Sequence, residues 1–531
     1  SRQIEARTPW SRLGARSPLI AQGVTRMSRV QIDGEHLTLE DLHRIVFDGT
    51  EAEIPSAARE RMLASRALIE RLVESGATVY GVNTGFGKMA STRISRDEIR
   101  HLQLNLVRSH ACGVGEPLSE PATRAILALR ANAIAKGYSG VRPVVPETLV
   151  GMLNRGVHPV IPSQGSVGAS GDLAPLAHLA QVAIGEGEAI LQGRKMSGGE
   201  AMRAAGIAPL ALEAKEGLAL LNGAQAMLAL VALALREAEI ATDTADVATA
   251  LSLDALRGSP VAFDERLFLL RPHPGQATTA RNIERLSRGS AIRESHRSPE
   301  KDSRVQDPYS LRCAPQVHGA VRDVLAHVRA TLAVELNSAT DNPLVFADSG
   351  DVISGGNFHG QPLAMAADQM ALALATLGGI SERRIEQMTN PQTSGLPAFL
   401  VREAGLNSGF MIAQVTAAAL AAEMKPLAAP HSVDSIPTSA NQEDYVSMGM
   451  SGARRLEPLL ANLRNILAIE LLAACQGLDL LAPLLSGPET CKAYDIVRSL
   501  SQRVDADRSL APDIAKVAAA IASGSFAALI R

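Results

Sequence analysis

The stretch GSVGASGDLAPLAHLA, residues 165–180, has a glycine at every third position as far as Gly171 and sets Ser170 between Ala169 and Gly171, just ahead of a run of helix formers. A serine so placed has several chemistries open to it. A serine-hydrolase elbow requires G-x-S-x-G between a strand and a helix, but position 172 is Asp and the preceding VIPSQGSVG is a poor strand. A phosphate-cradling loop requires G-x-G-x-x-G or G-x-x-x-x-G-K-[ST], and Val167 and Leu173 break both patterns. A plain loop entering a helix, with Asp172 as N-cap and Pro175 in the first turn, accounts for Asp172 and Pro175. It leaves the Ala-Ser-Gly among so many glycines without a reason.

The remaining reading is backbone chemistry. If the loop bends tightly, the Gly171 amide nitrogen can attack the Ala169 carbonyl carbon and close a five-membered ring, which only a small residue and a conformationally free glycine would tolerate. Loss of water from the ring, and of the Ser170 hydroxyl as a second water, leaves a methylidene-imidazolone electrophile. On this reading Ser170 is a precursor rather than a nucleophile. A helix starting at Asp172 would direct its positive end toward the ring and favour negative charge developing there.

Such a loop needs a scaffold, and the composition indicates helices. The chain has 531 residues, enough for a large core. It is 46% hydrophobic and 20% charged, as ordinary globular proteins are. No proline interrupts 210–259, a segment rich in Ala, Leu, Glu and Met, so one or two long helices are expected there. Segments 361–388 and 453–481 carry apolar residues at three- and four-residue spacing and predict further long helices. Alanine-rich helices of this kind pack closely, which points to a bundle. Strand signals are short, the clearest being SRVQID (28–33) and NPLVFA (342–347), and no alternating βα series is present. The polar, glycine-rich segments at 80–92, 163–174, 287–310, 350–362 and 432–445 separate the helical blocks and are where chemistry is expected.

Other classes are disfavoured. A net charge of −3 offers no pull toward nucleic acid or acidic lipid, and an aromatic content of 3% leaves little for stacking on single strands. The apolar stretch 217–235 is broken by Asn222, Gly223 and Gln225 and bracketed by charges, so a buried helix is expected rather than a membrane span. Four dispersed cysteines predict a reducing, cytoplasmic setting. The 12 histidines include no H-E-x-x-H, so no metal site is expected. Residues 1–26 hold five arginines and one acidic residue, and read either as an upstream extension outside the fold or as an address segment.

GSVGASGDLAPLAHLA resembles the signature of the aromatic amino acid ammonia-lyase and aminomutase family. The likeness runs from about residue 27 through YGVNTGFG (80–87), NLVRSHACGVG (105–115), KEGLALLNGAQA (215–226), VQDPYSLRCAPQ (305–316), ISGGNFHGQP (353–362), NSGFMIAQVTAAAL (407–420) and SANQEDYVSMG (439–449). The resemblance implies a mainly α fold of the aspartase and fumarase type, with a long central helical bundle. A smaller N-terminal region, about 27–215, would carry the active-site loops, and about 216–531 would form the bundle and C-terminal helices. It also implies a homotetramer whose active sites are shared between subunits. The cofactor would be 4-methylidene-imidazol-5-one (MIO), made from Ala169, Ser170 and Gly171, with no external cofactor.

The same resemblance assigns roles. Tyr80 matches the catalytic base, with glycines around it suited to a lid; by itself a Tyr-Gly pair would only anchor a turn. Tyr309 and Arg312 match residues that support the prosthetic group and bind the substrate carboxylate, for which a guanidinium fork is suited. Asn222 and Gln306 match polar residues holding the ring and the substrate, and ordinary buried hydrogen bonding is the other account of them. Phe358 matches an aromatic wall, or is simply core. Ser109-His110 and Glu443 bear on the substrate. A carboxylate can accept from an imidazole N–H but would face a phenyl ring unsatisfied, so Glu443 favours L-histidine, whose elimination product is trans-urocanate. A structural ion pair is the alternative for Glu443. Tyr445 and NPQTSGLP (390–397) depart from the pattern of histidine-specific members, which leaves a phenylalanine or tyrosine lyase or aminomutase, or a lyase for a modified histidine, as the alternative.

Overall fold

The computed structural model describes residues 29–298 and 304–531, apart from 77–78, 80, 83, 85–93 and 96–97. Tyr80 and residues 1–26 therefore lie outside the described residues. The chain divides into two compact units, one of Ser1–Leu233, Ala330–Ala367 and Pro430–Arg454, the other of Ala234–Arg329, Asp368–Ala429 and Arg455–Arg531.

Three helices of the first unit, Ile99–His110, Leu173–Ala183 and Glu216–Leu221, pack pairwise against one another. The Ile99–His110 helix buries Ile99, Gln103, Leu106 and Val107, the stripe expected of a surface helix. Its first turn is anchored in an apolar cluster with Leu68, Ile69, Ala214 and Val345. Leu173–Ala183 is apolar almost all round and correspondingly buried. Gly217 sets the spacing of the first and third helices, because a Cβ there would lie 2.6 Å from the Gln103 carbonyl oxygen. The Gln103 side chain in turn accepts from the Leu218 amide at 3.2 Å. Strands in this unit are short, with pairings such as Val114–Pro117 against Pro162–Gln164 and Leu344–Phe346 against Asp351–Ile353.

The proline-free segment folds as two helices, Glu216–Leu221 and Gln225–Ala255. The break falls at Asn222-Gly223-Ala224, where Asn222 turns extended at ψ 102°. The other long helices are Ala314–Glu335, Gln361–Thr389 and Leu456–Leu480. Gln361–Thr389 and Gly449–Leu480 are long and apolar enough to cross a membrane, but 67% and 72% of their apolar windows are buried.

The second unit has a polar core. Glu470, fully buried, accepts from Arg384 Nε at 2.5 Å and Nη2 at 3.0 Å, from Ser252 at 2.8 Å and from Ser381 at 2.5 Å. The carboxylate is thereby saturated, the condition under which a buried ion pair is tolerated.

Candidate active site

A cavity of about 860 Å³ opens within the first unit, and Ala169, Ser170, His110, Asn222, Phe358 and Glu443 all line it. These six come from five separate segments. His110 closes the C-terminal end of its helix, Ser170 precedes the Leu173–Ala183 helix, and Asn222 ends the Glu216–Leu221 helix. The packing of those three helices is what brings the side chains together.

The Ala169–Gly171 loop is clamped on both sides. The Met448 amide donates to the Val167 carbonyl at 2.9 Å, and the Ser447 hydroxyl to the Gly168 carbonyl at 3.3 Å. On the other side the Asp172 amide donates to the Gly223 carbonyl at 2.8 Å. Gly171 has φ 70° and lies so close to the Gly223 backbone that no Cβ would fit. Small residues, a left-handed glycine and fixed ends are what a backbone cyclisation at Ala169-Ser170-Gly171 would need, so the residues present fit the methylidene-imidazolone. The Ser170 hydroxyl points to Glu443 Oε1 at 3.5 Å.

Asp172 departs from the sequence expectation. It stands at the N-cap position of Leu173–Ala183 but makes no side-chain cap bond there. Its carboxylate instead accepts from the Met227 amide at 2.8 Å, in the first turn of the Gln225–Ala255 helix, and from Ser166 Oγ at 2.9 Å. A fully buried carboxylate thus caps a helix 55 residues away, and the helix beside Ser170 starts without a side-chain cap bond.

Burial pushes the Asp172 carboxyl up to about 6, against hydrogen bonds that hold it down. Since the folded value lies above the unfolded one, the native state binds the proton more tightly between about pH 4 and 6. Stability from this group therefore falls as pH rises through that window, by roughly 3 kcal/mol. Asp172→Asn keeps an acceptor for the Met227 amide and removes the ionisation. Denaturant unfolding at pH 4 and pH 7 is expected to show the variant gaining on wild type by about that amount. Asp254, also raised to about 6 by burial, acts in the same direction in both proteins and cancels.

A buried network stands behind Asn222. Its Nδ2 donates to the Asn342 carbonyl at 3.1 Å, leaving Oδ1 without a partner. That acceptor is itself buried, an exception to the rule that buried polar atoms are paired. Asn342 is held by Asp341, whose Oδ1 accepts the Asn342 amide at 2.7 Å and whose Oδ2 takes the fully buried Lys215 ammonium at 2.7 Å. Lys215→Met would leave the buried Asp341 carboxylate without its ammonium partner. A loss of about 3–5 kcal/mol is expected in denaturant unfolding.

At the C-terminal end of its helix, His110 offers Nδ1 to the Leu106 carbonyl at 2.9 Å. That bond requires the proton on Nδ1, so the neutral ring keeps Nε2 as an acceptor. Burial pulls its pKa below the ordinary histidine range, with the Leu106 bond and the Glu443 charge opposing. Glu443 follows three consecutive residues in the left-handed region, Ser439, Ala440 and Asn441, at φ 50°, 53° and 64°. Such conformations cost on the order of 1–3 kcal/mol each and persist only where surrounding contacts enforce them. Tyr445 and His359, also lining the cavity, stack at 6.2 Å and 15°. Sequence reading noted Tyr445 but not its partner.

Gln306, Tyr309 and Arg312 do not line this cavity. They stand together in the second unit, where the Arg312 guanidinium lies 4.5 Å over the Tyr309 ring and its Nε donates to the Asp307 carbonyl at 3.0 Å. Tyr309 is 69% exposed and Val305 97%. Among the described residues no group of three or more His, Cys, Asp or Glu could hold a metal ion.

Comparison with known proteins matches residues 37–499 to the family model described as aromatic amino acid lyase. The chain is 54% identical over 518 residues to a histidine ammonia-lyase of Koribacter versatilis, covering 95% of this chain and 100% of that one. Among solved structures, histidine ammonia-lyase from Trypanosoma cruzi superposes with a TM-score of 0.87 at 44% identity, covering 95% of each chain. Tyrosine aminomutase from Streptomyces globisporus superposes at 0.90 with 41% identity, covering 95% of this chain and 98% of that one.

Proposed function

The chain belongs to the aromatic amino acid lyase family, and from that premise we propose that it eliminates ammonia from L-histidine to give trans-urocanate. Its fold is the mainly helical, fumarase-like class. The observation that carries the substrate is Glu443 in the same cavity as Ser170, where its carboxylate can accept an imidazole N–H. The reaction breaks the Cα–N bond and one Cβ–H bond with no change of oxidation state.

The group formed from Ala169, Ser170 and Gly171 supplies an electrophile for the substrate amine, which makes a poor leaving group a better one. The rest of the site binds and orients. Glu443 takes the imidazole, and His110, its Nδ1 committed to Leu106, presents Nε2 to the same region. Asn222 lines the same cavity, and the family likeness gives it the holding of the ring and the substrate. Phe358 walls the cavity against water. The family likeness gives Tyr80 the removal of the β-proton, and gives Arg312, with Tyr309 and Gln306, the substrate carboxylate. Arg312 is suited to that task by its planar fork.

Those last three are not among the cavity-lining residues, and Gln306 and Tyr309 are exposed. The reading that accommodates this is a homotetramer in which the segment that carries them in one copy serves the cavity of another. A cytoplasmic setting accords with four cysteines, none in a disulfide. Cys475 in particular is fully buried, with its thiol pushed up to about 12.

A substrate panel tests the proposal. Purified protein incubated with histidine, phenylalanine and tyrosine is expected to generate the ultraviolet absorbance of urocanate from histidine alone. A cinnamate-type product or a β-amino acid, without urocanate, would overturn it. The tyrosine aminomutase likeness makes that second outcome the specific alternative.

A further inference from the structure

Glu443 has a partner that the catalytic reading leaves without a role. The Thr438 hydroxyl donates to Glu443 Oε2 at 2.7 Å. The two residues are also joined by their backbones, with the Thr438 amide on the Glu443 carbonyl at 2.9 Å and the reverse bond at 3.3 Å. These three bonds close a loop in which three of the four intervening residues, Ser439 to Asn441, are left-handed and the fourth, Gln442, is right-handed. The closure therefore offsets the strain that the loop carries.

The consequence for the site is geometric. A glutamate has three rotatable side-chain bonds, and freezing them on substrate binding would weaken binding. Thr438 has already fixed them, because Oε2 is committed to its hydroxyl. Oε1 is left facing Ser170 in the cavity, with both of its lone pairs open to an incoming N–H apart from that long contact.

We propose that Thr438 is a positioning residue for substrate selection, orienting Glu443 so that Oε1 meets the substrate imidazole. The inference rests on the reading of Glu443 as the imidazole acceptor. Thr438 touches no reacting atom and acts only through Glu443, which makes it separable from a residue that merely supports the fold.

The test is a double-mutant cycle read by steady-state kinetics on histidine, with circular dichroism to verify folding. Thr438→Val keeps the shape of the side chain and removes its hydroxyl. KM for histidine is expected to rise about tenfold, the scale of one hydrogen bond to a charged group, while kcat changes by less than about threefold. Thr438→Ser restores the donor and is expected to stay within about twofold of wild type in KM. In a Glu443→Ala background, Thr438→Val is expected to have no further effect, because the group it acts through is gone.

Equal losses in the two backgrounds, or failure of the serine variant to recover KM, would overturn the inference while leaving histidine as the substrate. Absence of urocanate from the wild type would overturn both this inference and the function on which it rests.

Discussion

Replacing Ser170 with alanine is expected to lower turnover of histidine by on the order of 10³-fold or more, while the folded state is retained. The two effects separate because of what the hydroxyl touches. Its hydrogen bond is a long one, 3.5 Å to Glu443, and the residue is only half-buried. In the unprocessed loop, removing it should change stability by no more than about 0.5 kcal/mol. Alanine at this position still fits between Ala169 and Gly171, so the clamps from Met448 and Gly223 are undisturbed. What is lost is the second water that position 170 must give up to become the unsaturated carbon of the electrophile. Urocanate absorbance and circular dichroism, measured on the same preparation, check the pair of expectations. An alanine variant as active as wild type would make Ser170 an ordinary loop serine.

The second large effect is expected at Glu443. Glu443→Gln retains the shape and one acceptor oxygen but removes the charge. kcat/KM for histidine should fall by about 10²-fold, in keeping with charged hydrogen bonds of about 1.5–3 kcal/mol. Phenylalanine, which presents no N–H to that group, should lose far less, so the ratio of the two substrates shifts toward phenylalanine. Paired measurements of kcat/KM on both amino acids read this directly. An unchanged ratio would mean that Glu443 does not face the substrate ring.

The long helices were legible in the sequence because nothing competes with their pattern. An apolar residue every third or fourth position and a lack of proline predict a helix over 361–388, and the helix runs over Gln361–Thr389. The break at 222–224 departs from the buried helix expected over 217–235; its cause, the approach of Gly171 to Gly223, links residues 52 apart in the chain and leaves no local mark. Asp172 shows how a local rule can be overridden. Its place before a helix predicts a cap of that helix, but the carboxylate instead accepts from the Met227 amide in the first turn of a longer helix.

Of the residues carried by recognisable motifs, Ala169, Ser170, His110, Asn222, Phe358 and Glu443 line one cavity while Gln306, Tyr309 and Arg312 do not, and the supports of the cavity residues do not declare themselves. Lys215 and Asp341 are 126 residues apart, and neither residue type at its position announces a buried pair. Thr438 lies five residues from Glu443, yet of the three left-handed residues between them, Ser439, Ala440 and Asn441, only Asn441 has a local tendency to that region. The strain there is enforced by the closure rather than by the residues themselves, so only the folded structure reveals it.

The central claim is that Ala169, Ser170 and Gly171 become a single electrophilic ring. Mass spectrometry of the proteolytic peptide that spans these residues, taken from protein that converts histidine to urocanate, tests it most directly. The peptide from wild type is expected to be two waters lighter than its encoded sequence, and that from Ser170→Ala to lack this deficit. A peptide of full encoded mass from the active enzyme would contradict the account.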